Sequence, residues 1–333
     1  MSTFITGCSG FVGLALAEHL LSAGDEVVGY DLMMPPDKAY ELLSDLPGRF
    51  TLVQGDVCDE VALSETMMRH QPRRLVTLVA ITADPKRERV MPQRIFEVNV
   101  GGALASVSAA AKAGVQQVLH VSSGATYGAS GRGPGPLHED RTPLLPEALY
   151  GMSKRAAEEA VRRLAELHGL PLLVGRLGTC FGPWEADSGA RDTPSAPLQA
   201  LRLTAQGCEV VLPRDSRRDW LYVRDAAAAI VCLLAASARH PVYNLAAGHE
   251  WSMVQWCEYV ATRRPDFVWR FADAETAANI DYYADFDRAS MAIDRLLADT
   301  DFLPRFDLPG ACDDFLDWWS RHGNISLERR QTQ

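Results

Sequence analysis

The chain has 333 residues, a formal charge of −10 and a 47% hydrophobic content. That length suits one large α/β domain, or a nucleotide domain with a smaller lobe, and the apolar share builds a core without metals or disulfides. The acidic balance argues against general nucleic-acid or anionic-membrane binding. Seven cysteines (8, 58, 180, 208, 232, 257 and 312) are scattered, with no Cys-x-x-Cys and no zinc spacing, as expected of small buried side chains in a reducing compartment. The N-terminus enters a short apolar strand with no basic leader, and no stretch approaches a membrane span, so a cytoplasmic protein is expected.

Ser2 to Thr6 reads as a buried strand running into Gly7-Cys8-Ser9-Gly10-Phe11-Val12-Gly13 and then an amphipathic segment, Leu14 to Ala23. Strand, glycine-rich turn and helix, in that order, form the context of a dinucleotide fingerprint. Gly7 makes the turn, Gly10 admits the pyrophosphate, Gly13 lets helix and strand close, and the helix N-terminus offers free N–H groups to phosphate. The next strand, Glu26 to Tyr30, ends in Asp31, placed to accept ribose hydroxyls and to repel a 2′-phosphate. With Leu32, Met33 and Met34 following and no Arg, NAD is expected over NADP.

Further alternation follows. Phe50 to Gln54 is a strand leading to Asp56 and Val57, with Asp56 placed for the adenine amine. Leu75 to Ala80 is a strand, Gly102 to Ala113 a helix, and Gln117 to Val121 a strand ending in Ser122-Ser123. Ser153 to His168 is a helix and Pro171 to Arg176 a strand. The alternation predicts an α/β fold with a Rossmann-type, doubly wound parallel sheet. Residues 184–197 read as a long loop. Beyond it come a helix over 198–205, a strand over 209–212, a helix over 224–236 and a strand over 242–246. Residues 1–180 are expected to form the nucleotide domain, with 215–246 partly returning to it. Residues 181–214 and 247–325 would form an interleaved substrate lobe, Trp318 and Trp319 packing anchors within it, and 326–333 a frayed tail.

Tyr150 and Lys154 lie four residues apart in Leu149-Tyr150-Gly151-Met152-Ser153-Lys154, about one helical turn, so the two side chains share a face. A free phenol has a pKa of about 10, and a neighbouring ammonium favours the phenolate, which can then take a proton from an alcohol or return one to a ketone. Standing alone, the pair reads more readily as a half-buried Tyr beside a solvated Lys, because so short a motif recurs by chance.

Taken together, the landmarks resemble the extended short-chain dehydrogenases/reductases, the NAD-dependent epimerase/dehydratase proteins. Thr6 to Gly13 resembles their Thr-Gly-x-x-Gly-x-x-Gly turn, Asn99-Val100-Gly101-Gly102 their Asn-Val-x-Gly-Thr, and Ser122 to Gly128 their Ser-Ser-x-x-Val-Tyr-Gly. Tyr150 to Lys154 resembles Tyr-Gly-x-Ser-Lys, Arg176 to Pro183 Arg-x-x-Asn-x-Tyr-Gly-Pro, Arg218 to Asp225 Arg-Asp-Phe-Ile-Tyr-Val-x-Asp, and Tyr243-Asn244-Leu245 the later Tyr-Asn-Leu. The resemblance implies Tyr150 as acid/base, Lys154 as its modulator and ribose ligand, and Ser123 as the hydrogen-bond partner of the reacting oxygen. It implies that Gly7, Gly10, Phe11, Val12, Gly13, Asp31, Asp56, Val57 and Asn99 line the cofactor. It also implies a homodimer through the helices over 102–113 and 153–168.

The departures from the pattern bear on substrate. Sugar 4,6-dehydratases place Asp-Glu directly after the catalytic hydroxyl residue, where this chain has Gly124 and Ala125, so dehydration is not expected. The family Asn is Thr179, the usual His of the fourth strand is Thr77, and the Gly-Asp-Gly loop is replaced by Pro213-Arg214-Asp215-Ser216-Arg217. Arg218, which grips a diphosphate in relatives, is kept. Arg191, Arg214 and Arg217 share its lobe, the last two reading as surface charges, and Lys86, Arg87 and Arg89 follow the fourth strand. Expected is hydride transfer at a secondary alcohol of an anionic carbohydrate. A nucleotide-sugar 4-epimerase comes first, a one-way dehydrogenase of a polyol or sugar acid second, and a non-catalytic NAD-binding protein third. Thr179, Arg191 and Arg218 are the expected substrate contacts.

Overall fold

The computed structural model describes residues 1–186 and 193–323. Arg191, the centre of the 184–197 loop and the 326–333 tail lie outside the described residues. In chain order, β1 (Ser2–Thr6), α1 (Phe11–Ser22), β2 (Glu26–Asp31), α2 (Asp37–Ser44), β3 (Arg49–Gln54), α3 (Glu60–His70) and β4 (Arg74–Thr77) form the first half. Two short helices, α4 (Pro85–Val90) and α5 (Pro92–Phe96), and one turn of π-helix over Glu97–Gly101 lead into α6 (Gly102–Ala113). Then come β5 (Gln117–Ser123), α7 (Leu149–His168), β6 (Leu172–Leu177), β7 (Thr179–Phe181), α8 (Ala196–Ala205) and β8 (Val210–Leu212). The chain continues through β9 (Arg217–Arg218), β10 (Trp220–Tyr222), α9 (Val223–Ala235), β11 (Val242–Leu245) and β12 (Trp251–Ser252). It finishes with α10 (Met253–Arg263), β13 (Trp269–Phe271), α11 (Asp294–Asp299) and α12 (Leu308–His322).

Seven strands form one sheet in the order β11-β6-β5-β4-β1-β2-β3, every pairing parallel. The strand order reverses between β1 and β4, which opens a crevice at their carboxyl ends. Near-continuous apolar runs such as Thr3-Phe4-Ile5-Thr6 are buried because helices cover both faces. The core around α3, α6 and α7 packs on one face, and a larger one around α1, α9, α10 and α12 on the other. Three two-stranded pairs (β7 with β10, β9 with β12, β8 with β13) lie beyond the main sheet. Trp318 and Trp319 are buried in the larger core, the packing role their composition suggested.

Some elements differ from expectation. β4 stops at Thr77, and the apolar run to Ala80 continues as irregular chain lining the central crevice. α7 begins at Leu149 rather than Ser153, so Tyr150 and Lys154 both lie within it, and it ends at Gly169 in the left-handed conformation that stops helices. α2 and α3 carry no strong apolar signal and were not anticipated.

A buried polar network ties the second half of the sheet to α7. Glu158 and Arg176 form an ion pair at 2.8 Å with both side chains 5% exposed. Ser122 donates to Glu158 at 2.5 Å, and Arg176 donates to the Tyr127 hydroxyl at 3.1 Å, which donates in turn to Asn244. α7, β5, β6 and β11 are thereby cross-linked. Removing one member of a buried pair leaves the other charge unpaired, so Arg176→Met is expected to cost about 3–5 kcal/mol in urea unfolding. A loss under about 1 kcal/mol, the range of surface ion pairs, would remove the pair from that role.

Candidate active site

The glycine turn joins β1 to α1. Gly7 has φ +80°, and a Cβ there would lie 2.7 Å from the Val79 nitrogen. A Cβ on Gly13 would strike the Gly7 and Cys8 carbonyls, so α1 can lie against the turn only with glycine at that position. Gly10 caps α1 and carries no side-chain acceptor, so the N-terminus of α1, with its positive dipole end, meets the turn directly. Gly7, Gly10, Phe11, Val12 and Gly13 all line a cavity of about 490 Å³.

Asp31 stands at the end of β2. One carboxylate oxygen accepts the Ser9 N–H at 2.9 Å and the other the Met33 N–H at 3.2 Å. Burial raises its pKa, and those backbone donors oppose the rise. Its remaining lone pairs are those a ribose diol would need, and the neighbouring Leu32, Met33 and Met34 are exposed. The cradle and this carboxylate fit an adenine dinucleotide whose ribose carries no 2′-phosphate.

Asp56, Val57 and Asn99, expected at the cofactor, do not line the cavity, nor does Asp31. Asp56 accepts Arg94 at 2.9 Å and the Cys58 N–H at 2.9 Å; burial opposes it, yet these donors hold its carboxyl below the usual range. The Val57 side chain is buried in the α3/α6/α7 core, against Gly102. Asn99, expected to face the cofactor, is 1% exposed and has its amide fully committed. It accepts the Ile81 N–H at 2.7 Å and donates to the Ile81 carbonyl and to Ser153. It lies in the π-turn and ties the segment after β4 to α7, so its side chain positions the crevice wall.

At the other end of the cavity stand Ser123, Tyr150 and Lys154. The Ser123 hydroxyl ends β5 and accepts the Ala125 N–H at 3.1 Å, which leaves its own proton to donate. Tyr150 lies in the first turn of α7, and Lys154 follows one turn on. Lys154 is 2% exposed and donates to the Val121 carbonyl at 2.6 Å. Burial lowers its ammonium to about 8, and the Glu158 carboxylate one further turn along α7 opposes the fall. The charge beside Tyr150 is therefore present at neutral pH and is lost as pH rises through about 8. Thr77 bonds the buried His120 at 2.7 Å, and burial, with Lys154 adding to it, keeps that imidazole neutral.

The expected substrate residues separate. Thr179 and Arg218 line the cavity. Burial lowers the Arg218 guanidinium, Asp287 opposing and Arg288 adding to the effect; the Asp287 contact is long, at 3.6 Å. Arg214 is no solvated charge: it grips both Asp287 oxygens at 2.9 Å. Arg217 is exposed, and Lys86, Arg87 and Arg89 lie on or beside α4, outside the cavity lining. Sequence reasoning missed the segment 281–288, which supplies Asp281, Tyr282, Tyr283, Ala284, Phe286 and Arg288 to the wall. No regular periodicity marks it. Glu158 was missed as well, although its spacing from Lys154 repeats that of Lys154 from Tyr150.

A glycine turn at a helix N-terminus and a Ser-Tyr-Lys set line one crevice, the arrangement of an enzyme of dinucleotide-dependent hydride chemistry. Residues 3–246 match the model of the NAD dependent epimerase/dehydratase family, and the chain belongs to that family, whose cofactor is NAD. It is 27% identical over 269 residues to a dTDP-glucose 4,6-dehydratase of Shigella flexneri, covering 75% of this chain and 73% of that one. Among solved structures, UDP-glucose 4-epimerase of Thermotoga maritima superposes with a TM-score of 0.79 at 20% identity, covering 98% and 100% of the two chains. The dTDP-glucose 4,6-dehydratase of Bacillus anthracis, in complex with NAD, gives 0.79 at 19% identity, covering 98% and 99%. Among the described residues, no helix is long and apolar enough to cross a membrane.

A carboxylate that accepts ribose hydroxyls contributes about 1.5–3 kcal/mol, so Asp31→Ala is expected to weaken NAD binding about tenfold or more and to narrow its margin over NADP. Calorimetric titration with both dinucleotides checks this, and an unchanged preference would remove Asp31 from the cofactor site.

Proposed function

We propose that the chain is an NAD-dependent nucleotide-sugar epimerase of the 4-epimerase type. The observation that carries this reading is that Ser123, Tyr150, Lys154 and Arg218 line the same cavity as the glycine turn. In this reading residues 1–180, with 215–246 returning to them, hold the cofactor, and 181–214 and 247–325 hold the sugar.

Tyr150, ionised beside the Lys154 ammonium, takes the proton of a secondary hydroxyl while the Ser123 O–H hydrogen-bonds the same oxygen. NAD held at the glycine turn would supply a reversible hydride acceptor for the carbinol carbon, so that the ketone can be reduced again on its opposite face. Tyr150 then returns the proton, and Arg218 keeps the diphosphate in place while the sugar turns between the two transfers. Lys154 would also help to hold the nicotinamide ribose.

Elimination of water finds no support at the reacting end. Gly124 and Ala125 carry no proton-transfer group, and Glu147, one carboxylate of the cavity wall, is paired with Arg132. In this reading the likeness to the dehydratases is one of scaffold. A second reading, a one-way dehydrogenase of a sugar acid, draws on the Pro213–Arg217 loop, where Arg214 is spent on Asp287 instead of on a diphosphate.

We further propose a cytoplasmic homodimer through α6 and α7, with a polar interface because α7 presents Arg155, Glu159, Arg163 and Glu166 outward.

Incubation with NAD and a panel of UDP-, GDP- and dTDP-sugars tests the reading. The expected result is an epimeric sugar by NMR with no accumulation of NADH, and a fall of about 10²–10⁴ in kcat for Tyr150→Phe. Stoichiometric NADH would move the assignment to the dehydrogenase.

A further inference from the structure

The irregular segment between β13 and α11 sends Arg288 to the reacting end of the cavity. Backbone bonds fix it there: Ala289 donates to the Gly131 carbonyl at 2.8 Å, and Met291 donates to Asp219 at 2.8 Å. Two glycines leave room for the side chain. A Cβ on Gly131 would lie 2.6 Å from Arg288 Cγ, and one on Gly124 would lie 2.8 Å from its Nη1. The guanidinium therefore occupies the space beside Gly124, the residue directly after Ser123.

This cation is poorly compensated. Its protein acceptor among the described residues is Thr179, a neutral hydroxyl 3.3 Å from Nη2, and its buried Nε has no partner. Among the described residues no carboxylate lies within ion-pair distance of it. Asp219 is close enough to feel its charge, but that carboxylate is itself buried and accepts a backbone N–H. Asp287, the adjoining acid, is committed to Arg214, Ser216 and the Arg217 N–H. A neutral ligand closing over Arg288 would strand a charge away from water, at substantial cost. An anion at this point satisfies it.

We propose that Arg288 is a specificity residue that binds a carboxylate carried by the sugar itself, so that the preferred substrate is a uronic-acid unit. The proposal rests on the reading of Ser123, Tyr150 and Lys154 as the reacting end. With a diphosphate at Arg218 and the reacting hydroxyl at Ser123, as that reading has them, a hexose ring would lie between the two. The anion beside Ser123 would then be a substituent of the ring, and a planar guanidinium suits a planar carboxylate.

The test uses matched ligands differing only in that group: UDP-glucuronate against UDP-glucose, UDP-galacturonate against UDP-galactose, and free glucuronate against glucose. Each is titrated calorimetrically into the NAD-loaded enzyme. The wild type is expected to bind the acid of a pair at least about tenfold tighter, a difference in the range of one charged hydrogen bond. Arg288→Gln should bring the ratio to within about twofold while leaving NAD affinity unchanged. Arg288→Lys should restore part of it. Gly124→Ala, whose Cβ displaces the guanidinium from the opposite side, should lower the same ratio, whereas Arg218→Gln should weaken both members of a nucleotide-linked pair alike. Equal binding of acid and neutral sugar by the wild type, binding of neither, or a preference that survives Arg288→Gln would overturn the proposal. Because the ratio is a binding quantity, it is read whether or not NADH accumulates. Failure of the epimerase reading is seen separately, in turnover.

Discussion

The buried ion pair between Glu158 and Arg176 is the constraint on which the site depends. It fixes α7 to β6, and through Ser122, Tyr127 and Asn244 to β5 and β11. Glu158 is one turn beyond Lys154, which is one turn beyond Tyr150, so a single helical face runs from the structural charge to the chemical one. A charge pair in a dry interior is costly unless every partner is satisfied, and this one is. Its second effect is electrostatic. Without the Glu158 carboxylate, burial alone would drive the Lys154 ammonium further toward its neutral form. The interaction that anchors the helix thus also favours the charged form of the lysine one turn from the proposed acid/base.

Charge also divides the cavity along its length. At the glycine turn the donors are backbone N–H groups at a helix end, matched to phosphate. At the far end Arg218 and Arg288 join the Lys154 ammonium, Arg218 weakly paired and Arg288 without an ion pair among the described residues. A chain of net charge −10 has thus gathered two arginines in one crevice, and that local sign bears on substrate more than the overall balance does. The bare Gly124-Ala125 step acts in the same direction: it removes the groups an elimination would require and makes room for a guanidinium.

Much of the nucleotide half was legible from sequence because it is local. Gly7, Gly10 and Gly13 are fixed by backbone approach, Asp31 by strand length, and the Tyr150–Lys154 pair by helical periodicity. What escaped was non-local. Asn99 and Asp56 sit at family landmarks, but whether their side chains face a ligand or the protein depends on Ile81, Ser153 and Arg94, which no spacing places beside them. Arg288 lies in an irregular run whose position is set by hydrogen bonds to Gly131 and Asp219, 72 or more residues away. Arg214 read as a surface charge because its partner, Asp287, is distant in sequence. The missing N-terminal turn of α7 has a local cause: its N-cap is Ala148, which provides no side-chain acceptor to mark the start.

The central proposal is that the buried Lys154 ammonium, kept charged by Glu158, supports proton transfer at Tyr150. The pH dependence of kcat, on the substrate that the nucleotide-sugar panel identifies, tests it most directly. The account predicts that turnover falls as pH rises through about 8, and that the residual rate of Lys154→Met shows no such fall. A wild-type rate unchanged through pH 8, or the same fall without the lysine, would contradict it.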